Sequence, residues 1–122
     1  MNRENTTLFD RIGGMQALDE ATTLFFVKVV SDLKINYYFK SVDMERQVTM
    51  FRSFLAHAFG APFNYEGEDL KEAHEHMQIT TEIFEKVVGY LEETLFELNK
   101  PLELIEEVVA IVRKLKKDIT ND

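Results

Sequence analysis

The sequence predicts an all-α fold, and three observations support this expectation. Apolar residues recur at steps of three and four along most of the 122-residue chain, which is the period of a helix with one buried face. No run alternates apolar and polar residues for long enough to require a strand. The two prolines and five glycines are few and clustered, so long helices fit between them. The length suits one domain, residues 1–122, with enough apolar material for a single core.

A glycine pair separates the first two expected helices. Thr6 or Thr7 is placed to cap a short helix that runs through Ile12. Gly13–Gly14 then permits a sharp turn into a second helix that runs to about Asp32. The residues expected on its buried face are Leu18, Ala21, Phe25 and Val29.

Three consecutive aromatic residues follow the second helix. Tyr37, Tyr38 and Phe39 end the segment Leu33–Phe39, and they are too many aromatics for a solvated loop. We therefore expect all three to meet something large and apolar.

The pattern over residues 44–58 predicts a third helix. Its apolar residues step by four, three, four and three, and Asp43 is placed to cap it. These apolar residues are Met44, Val48, Phe51, Leu55 and Ala58. We expect the helix to stop at Gly60–Ala61–Pro62, a loop to follow through Gly67, and a short helix to contain Leu70–His76.

Two long C-terminal helices are expected on either side of Asn99–Lys100–Pro101. The apolar stripe of the first consists of Phe84, Val87, Val88, Leu91, Leu95 and Leu98. That of the second consists of Ile105, Val108, Val109, Val112, Leu115 and Ile119. Acidic residues near the start of the last helix and basic residues near its end suit the helix dipole.

Composition and charge exclude several classes of function. The 14 basic and 22 acidic residues give a net charge of −8, which repels the phosphates of nucleic acids and anionic lipids, so we expect neither as a partner. Without cysteine there is no disulfide framework and no thiolate zinc site. No run approaches the roughly 18 apolar residues of a membrane span. Met1–Asp10 lacks the apolar stretch of a signal peptide, so we expect a cytoplasmic protein.

The histidines, His57, His74 and His76, are the candidate metal ligands. Residues two apart on a helix are separated by about 200°, so His74 and His76 cannot both face one pocket. The sequence also lacks the His-x-x-x-His spacing of a helical zinc site, a nucleophile elbow and a phosphate-binding glycine loop. One inward-facing histidine in a helical protein rich in phenylalanine suits haem, a flat apolar cofactor whose iron needs a ligand. Taken alone, such a histidine is more often a hydrogen-bonded surface or core residue.

The order of several short motifs favours the haem interpretation. Along the chain they are Leu8–Gly14, Phe25–Asp32, Tyr38–Phe39, Val42–Met44 with Gln47, Gly60–Pro62 with Tyr65 and Gly67, Ala73–His74, Ile79–Thr80 and Phe84. In this order and spacing the sequence resembles the group I truncated, two-over-two haemoglobins over nearly its whole length. The resemblance implies a globin-like two-over-two α-helical sandwich that binds haem b. No histidine follows His76, so the covalent haem link that certain relatives form from the last helix is excluded.

The resemblance also implies roles on the proximal side of the haem. His74, in the Ala-His motif, matches the iron ligand, and its second ring nitrogen is expected to donate to a backbone carbonyl. His76 is expected to point toward solvent. Phe39 matches the phenylalanine that packs on the haem face in globins. The residues expected to line the proximal side are Met77, Ile79 and Phe84.

On the distal side, the matching residues are Phe26, Gln47, Met50 and Phe51. Group I members commonly have a tyrosine where Phe26 stands, and its hydroxyl donates to bound dioxygen. One net hydrogen bond is worth about 0.5 to 1.5 kcal/mol, so its loss raises the escape rate of oxygen by up to roughly tenfold unless Gln47 compensates. Met50 matches a position where some relatives carry a residue that closes onto the iron. Its thioether either binds the iron or packs against the haem edge or the second helix.

The remaining expectations concern the haem propionates, the loop after the third helix and His57. Arg46, with Lys40 and Arg52 beside it in sequence, is a candidate for the haem propionates, although surface arginines are usually just solvated. Gly60–Ala61 departs from the usual glycine pair, and alanine is costly there if the position needs a positive φ. His57, two helical turns from Met50, is not expected to bind iron.

The function implied by the resemblance is the binding of dioxygen, nitric oxide or carbon monoxide. We expect the protein to be a monomer. The resemblance further suggests oxidation of nitric oxide to nitrate, with a separate reductase restoring the iron, although no residue of the sequence itself shows that turnover. Two alternatives stay open. One is a six-coordinate haem redox or gas-sensing module with Met50 or Gln47 at the distal iron position. The other is an acidic helical interaction domain whose haem site has decayed.

Overall fold

The computed structural model describes residues 7–40, 42–62 and 78–120, and every regular element in these ranges is helical. The elements are α1 (Leu8–Ile12), α2 (Gly14–Val30), a 3₁₀ helix (Asn36–Phe39), α3 (Met44–Ala58), α4 (Thr81–Glu97), α5 (Leu102–Arg113) and α6 (Lys116–Ile119). The all-α expectation is confirmed for these residues. The expected short helix Leu70–His76 lies outside the described residues, as does most of the loop before it.

Helix α1 begins with a reciprocal cap and ends at a glycine. Thr7, rather than Thr6, is the capping residue, because its hydroxyl accepts from the Asp10 N–H at 3.1 Å. Gly13 ends α1 in the left-handed region, with φ of +116°, and a Cβ there would lie 2.8 Å from the Cβ of Ala17. The turn at Gly13 therefore requires glycine and lets α2 begin at once.

Helix α2 is the central element of the core. It contacts α1, the 3₁₀ helix, α3 and α4, and its four residues expected to face inward are all buried. It ends at Val30, two residues before the expected end. Lys28 forms two ion pairs between α2 and α4. Its ammonium lies 3.1 Å from the Glu93 carboxylate and 3.0 Å from that of Glu97.

Helix α3 has the predicted bounds and cap. The Asp43 carboxylate accepts from the Arg46 N–H at 3.2 Å, and the chain turns away at Gly60, where φ is +97°. Ala61 does not have a positive φ, so alanine after Gly60 carries no backbone strain. Of the predicted apolar stripe, Leu55 is buried and the other four residues are half-buried. Leu55 and Phe51 line a cavity.

The C-terminal part of the chain differs from the prediction in one respect. Helix α4 ends before Asn99, whose φ is +60°, as the predicted break requires. The expected last helix through Ile119 is wrong, because it breaks after Arg113 and resumes as α6. The Leu115 N–H donates to the Val112 carbonyl at 2.9 Å, three residues back, which tightens the chain into a turn. No glycine or proline marks this turn in the sequence.

The helices form two pairs that meet through α2 and α4. Helix α2 packs on α3, α4 packs on α5 and α6, and the two pairs join where α2 lies against α4. Buried apolar side chains from all of the longer helices fill this junction. Among the helices of the described ranges, none combines the length and apolar character needed to cross a membrane.

Candidate functional site

A cavity of about 320 Å³ lies between α2, α3, α4 and the turn into α6. This volume falls within the roughly 300 to 1,000 Å³ typical of pockets for small molecules and cofactors. Its wall is predominantly apolar and draws on every long helix. The structure brings seven of the ten predicted site residues to it: Phe26, Phe39, Gln47, Met50, Phe51, Ile79 and Phe84.

Four phenylalanine rings build one side of the cavity. The Phe26 ring meets its neighbours edge-on, with centroids 5.2 Å from Phe25, 5.5 Å from Phe51 and 6.0 Å from Phe39. Phe25 and Phe51 are stacked at 5.2 Å. Such pairs contribute about 0.5 to 1.5 kcal/mol each beyond the burial of their area, so the rings hold one another in place. This wall offers flat apolar surface and no hydrogen-bond donor.

Another part of the cavity wall is aliphatic and aromatic. Ile79, Phe84 and Val88 form a small buried cluster where α4 begins. Leu115, just before α6, and Ile119, at its end, line the same cavity. The Thr80 hydroxyl accepts from the Ile83 N–H at 3.2 Å and so fixes the start of α4 beside this wall.

Gln47 and Tyr38 supply the polar groups of the described lining residues. The half-buried Gln47 lies one helical turn before Phe51 on α3 and carries the only side-chain amide among the lining residues that the structure describes. Tyr38 instead donates its hydroxyl to the Gln78 carbonyl at 3.2 Å. Burial, with a smaller effect of Tyr37, raises the pKa of Tyr38, so the hydroxyl stays protonated. Gln47 is therefore the side chain best placed to donate into the cavity.

Met50 lies at the rim of the cavity. It lines the cavity and also a shallow surface pocket formed by Asp43, Glu45, Arg46 and Thr49. Arg46 is exposed and belongs to this shallow pocket rather than to the cavity wall. Arg52, another expected propionate partner, is paired with Asp19 at 2.6 Å.

Two other expectations can be compared with the structure. Tyr38 and Phe39 line the cavity, whereas Tyr37 is 53% exposed, with its ring centroid 4.6 Å from that of Tyr38. The prediction that all three aromatics meet something apolar is thus wrong for Tyr37, since the 3₁₀ helix turns it outward.

His57 is exposed and outside the described cavity lining.

His74 and Met77 lie outside the described residues, so their predicted roles stay predictions. Sequence reasoning missed several wall residues, among them Phe54, Val42 and Ile35. Phe54 lies three and four residues after Phe51 and Met50, so the helical period that identified those two could have identified it. Val42 and Ile35 lie in irregular segments, where no period applies.

A charged network braces the cavity where α2 ends. The Asp32 carboxylate, 6% exposed, lies 2.7 Å from the Lys86 ammonium and accepts from the Tyr90 hydroxyl at 2.6 Å. It also accepts from the Lys34 N–H at 2.8 Å. These donors, Lys86 first, lower the pKa of Asp32 to about 2. The network ties α4, which carries one cavity wall, to the end of α2, which carries another.

Comparison with known proteins decides the family. Residues 7–121 match the family model described as bacterial-like globin. The chain belongs to this family. The globin is 33% identical to the group 1 truncated hemoglobin of Tetrahymena thermophila over 116 residues, which cover 95% of this chain and 96% of that protein. It is 35% identical over 122 residues to the group 1 truncated hemoglobin GlbN of Synechocystis, covering 95% and 98% of the two chains.

Solved structures confirm the fold. The truncated hemoglobin of Tetrahymena pyriformis in its Fe(III) form has a TM-score of 0.91 at 30% identity, covering 96% of this chain and 100% of that one. The 2/2 hemoglobin of Synechococcus in the cyanomet state, with covalently attached heme, has a TM-score of 0.89 at 32% identity, with the same coverage of 96% and 100%. The two-over-two globin fold and the resemblance to group I are therefore confirmed. The cofactor of this globin is haem, which most members hold without a covalent bond, and gas binding at haem is the general function of the family.

Proposed function

We propose that this globin holds non-covalent haem b in the cavity, with His74 as the iron ligand, and that it binds dioxygen, nitric oxide or carbon monoxide. The observation that carries the proposal is the cavity itself. It has the volume of a ligand pocket and a wall of phenylalanine rings, and it has one amide donor among its described residues. The apolar wall and its flat aromatic rings suit a flat apolar macrocycle.

Each described residue has a specific part in this proposal. Phe26 and Phe51 exclude water from the distal side, while Phe39 lies against the macrocycle. Ile79 and Phe84 provide the apolar surface of the proximal side, together with Met77. The Gln47 amide donates to the bound gas. Exclusion of water strengthens this single hydrogen bond, because the effective dielectric constant inside the cavity is lower than in bulk solvent.

Nitric oxide detoxification is the physiological role that we propose. When bound, ferrous haem supplies an iron that takes up a diatomic gas, and with dioxygen and nitric oxide this chemistry yields nitrate and ferric haem. The globin side chains hold the haem, keep bulk water out and orient the gas. We propose that it works as a cytoplasmic monomer, with a separate reductase that returns the haem to the ferrous state.

Optical spectra of the purified protein, with and without carbon monoxide, test the proposal. We expect a Soret band that shifts on addition of carbon monoxide to the ferrous protein, and nitrate formed in equal amount to the nitric oxide added to the oxygenated protein. His74→Ala should change the ferrous spectrum, whereas the matched variant His76→Ala should not. A colourless protein that takes up no added haem would overturn the proposal and favour an interaction domain with a decayed site.

The position of Met50 favours one second candidate, a six-coordinate haem redox or sensing module. Met50 and Gln47 both lie on the cavity face of α3, so either side chain is a candidate for the distal iron position. Met50→Leu keeps the apolar volume and removes the sulfur. Unchanged ferric and ferrous spectra in this variant would exclude methionine ligation, and the same result in Gln47→Leu would exclude the amide.

A further inference from the structure

Tyr38 and Tyr37 link the cavity to the surface of the molecule. Tyr38 lines the cavity, and Tyr37, the preceding residue of the 3₁₀ helix, is 53% exposed. The centroids of the two rings lie 4.6 Å apart, with the ring planes tilted by 47°, which is a close aromatic pair. The two rings are therefore in contact, and together they reach from the cavity to solvent.

Tyrosine is the side chain that a one-electron oxidant inside this cavity oxidises most easily. The chain has no tryptophan and no cysteine, and a phenol loses an electron far more readily than the phenylalanine rings and aliphatic groups of the wall. Met50 is oxidised by taking up an oxygen atom rather than by losing one electron. Tyr38 is the one tyrosine among the described lining residues, whereas Tyr90 lies outside that lining and donates its hydroxyl to Asp32 at 2.6 Å.

The phenols of Tyr38 and Tyr37 differ in where their protons can go. A phenol that loses an electron becomes a neutral radical only if its proton also leaves, and a charged ring in an apolar wall is costly. The Tyr38 hydroxyl donates to the Gln78 carbonyl at 3.2 Å, and a carbonyl accepts a hydrogen bond but does not take up the proton. Tyr37 is exposed and releases its proton to water. The oxidised residue is therefore Tyr37, and Tyr38 is the ring that the electron crosses.

We propose that this globin also reduces hydrogen peroxide, and that Tyr37 is the surface site at which small phenols supply the electrons. This inference rests on the proposed function, because it requires haem in the cavity. Hydrogen peroxide takes up two electrons and two protons and leaves as two molecules of water. One electron comes from the haem, and Tyr37 supplies the other across the ring of Tyr38. Two phenol molecules then each give one electron and one proton, which restores Tyr37 and the haem and leaves two phenoxyl radicals.

A small phenol is the reductant that suits the chemistry of Tyr37. An electron and a proton pass between two phenols at little cost, because the same kind of O–H bond is broken in one and formed in the other. The exposed ring of Tyr37 also offers aromatic surface against which a second ring packs. A phenol therefore returns Tyr37 to its resting state at the surface, without entering the cavity.

Peroxide treatment of the ferric holoprotein with a nitroso spin trap, followed by mass spectrometry of its peptides, tests the proposal. We expect the trap on Tyr37 in the wild type and in the matched control Tyr90→Phe. Tyr37→Phe should lose this adduct without moving it to Tyr38. Tyr38→Leu, compared at equal haem content, should lower the yield at Tyr37 because it removes the ring in between. A trap found mainly on Tyr65 or Tyr90 of the wild type would overturn the proposal.

Oxidation of guaiacol, a small phenol, by the same holoproteins measures the activity. We expect Tyr37→Phe to oxidise guaiacol more slowly than the wild type at a fixed concentration of peroxide, and Tyr90→Phe to keep the wild-type rate. Equal rates in the wild type and Tyr37→Phe would mean that phenols reduce the haem directly, and the proposal would be wrong.

The carbon monoxide spectrum separates a failure of this proposal from a failure of the proposed function. If the ferrous protein shows the shifted Soret band but peroxide leaves no trap on Tyr37, the role of Tyr37 is wrong and gas binding stands. If the protein takes up no haem, both proposals fail.

Discussion

Phe26 is the side chain whose replacement most directly tests the chemistry of the distal pocket. It is 7% exposed, lines the cavity and cannot donate a hydrogen bond. We predict that Phe26→Tyr slows dioxygen dissociation by up to roughly tenfold, because one added net hydrogen bond is worth about 0.5 to 1.5 kcal/mol. Flash photolysis or stopped-flow displacement by carbon monoxide measures this rate.

Gln47→Leu provides the complementary measurement. If Gln47 is the native donor, this variant speeds dioxygen dissociation in the wild-type background and has a smaller effect beside Phe26→Tyr. Equal rates in the wild type, Phe26→Tyr and Gln47→Leu would contradict a distal pocket in which either side chain faces the gas.

The ion pair of Asp32 makes the stability of the folded chain depend on pH. The pKa of Asp32 is lowered to about 2 in the folded chain, mainly by Lys86 and then by Tyr90, and it returns to about 3.9 on unfolding. The folded state therefore binds fewer protons, so the stabilisation is complete above about pH 4 and is lost as the pH falls toward 2. We predict that Asp32→Asn lowers the free energy of unfolding near neutral pH and that its difference from the wild type shrinks over this acidic range.

Urea unfolding at a series of pH values measures the effect of Asp32→Asn. The control is Asp118→Asn, an exposed aspartate on α6 with no salt bridge among the described residues. A difference between wild type and Asp32→Asn that stays constant from pH 7 to pH 2 would contradict the assigned network.

The 3₁₀ helix is joined to the segment before α4 by the hydrogen bond from Tyr38 to Gln78. Gln78 has φ of +56°, a strained value for a residue other than glycine, and its carbonyl accepts from the Tyr38 hydroxyl at 3.2 Å. We predict that Tyr38→Phe lowers the free energy of unfolding by about 0.5 to 1.5 kcal/mol and speeds haem loss. Tyr37→Phe, on the exposed neighbour, should change neither quantity. Urea titration and haem transfer to apomyoglobin give the two measurements, and equal effects of both variants would refute this role.

Helix bounds were predictable where caps and apolar periods coincide. Thr7, Asp43 and Asn99 mark ends that the structure reproduces, because a side-chain cap or a positive φ has a local signature. The break after Arg113 was not predictable, since no glycine or proline marks it and the apolar residues keep the helical period on both sides of it. Arg46 likewise gave no local signal that its side chain lies outside the cavity wall.

Every long helix contributes to the cavity wall, so we expect removal of haem to lower the free energy of unfolding of the whole molecule. A ligand that binds only the folded state stabilises it by about 4 kcal/mol when its free concentration is 1,000 times the dissociation constant. We predict a lower thermal unfolding temperature for the apoprotein and partial recovery with iron-free protoporphyrin IX, which fills the cavity but forms no iron–histidine bond. Calorimetry of the three forms tests this order, and identical unfolding temperatures would contradict it.

The candidate site was predictable because its residues belong to short motifs that follow one another in a characteristic order along the chain. That order led to the family, and the family led to Phe26, Phe39 and Gln47, which the structure brings to one cavity. Periodicity alone could not have separated these residues from ordinary core residues. The apolar face of a helix has the same pattern whether it meets another helix or a cofactor.

The bond between His74 and the haem iron is the central claim, and imidazole rescue of His74→Gly tests it most directly. We predict that the ferrous spectrum of this variant changes and that millimolar imidazole restores the wild-type spectrum, because the free ring occupies the space vacated by the side chain. His76→Gly should keep the wild-type spectrum without imidazole. If His74→Gly keeps the wild-type spectrum and His76→Gly loses it, the iron ligand is not His74.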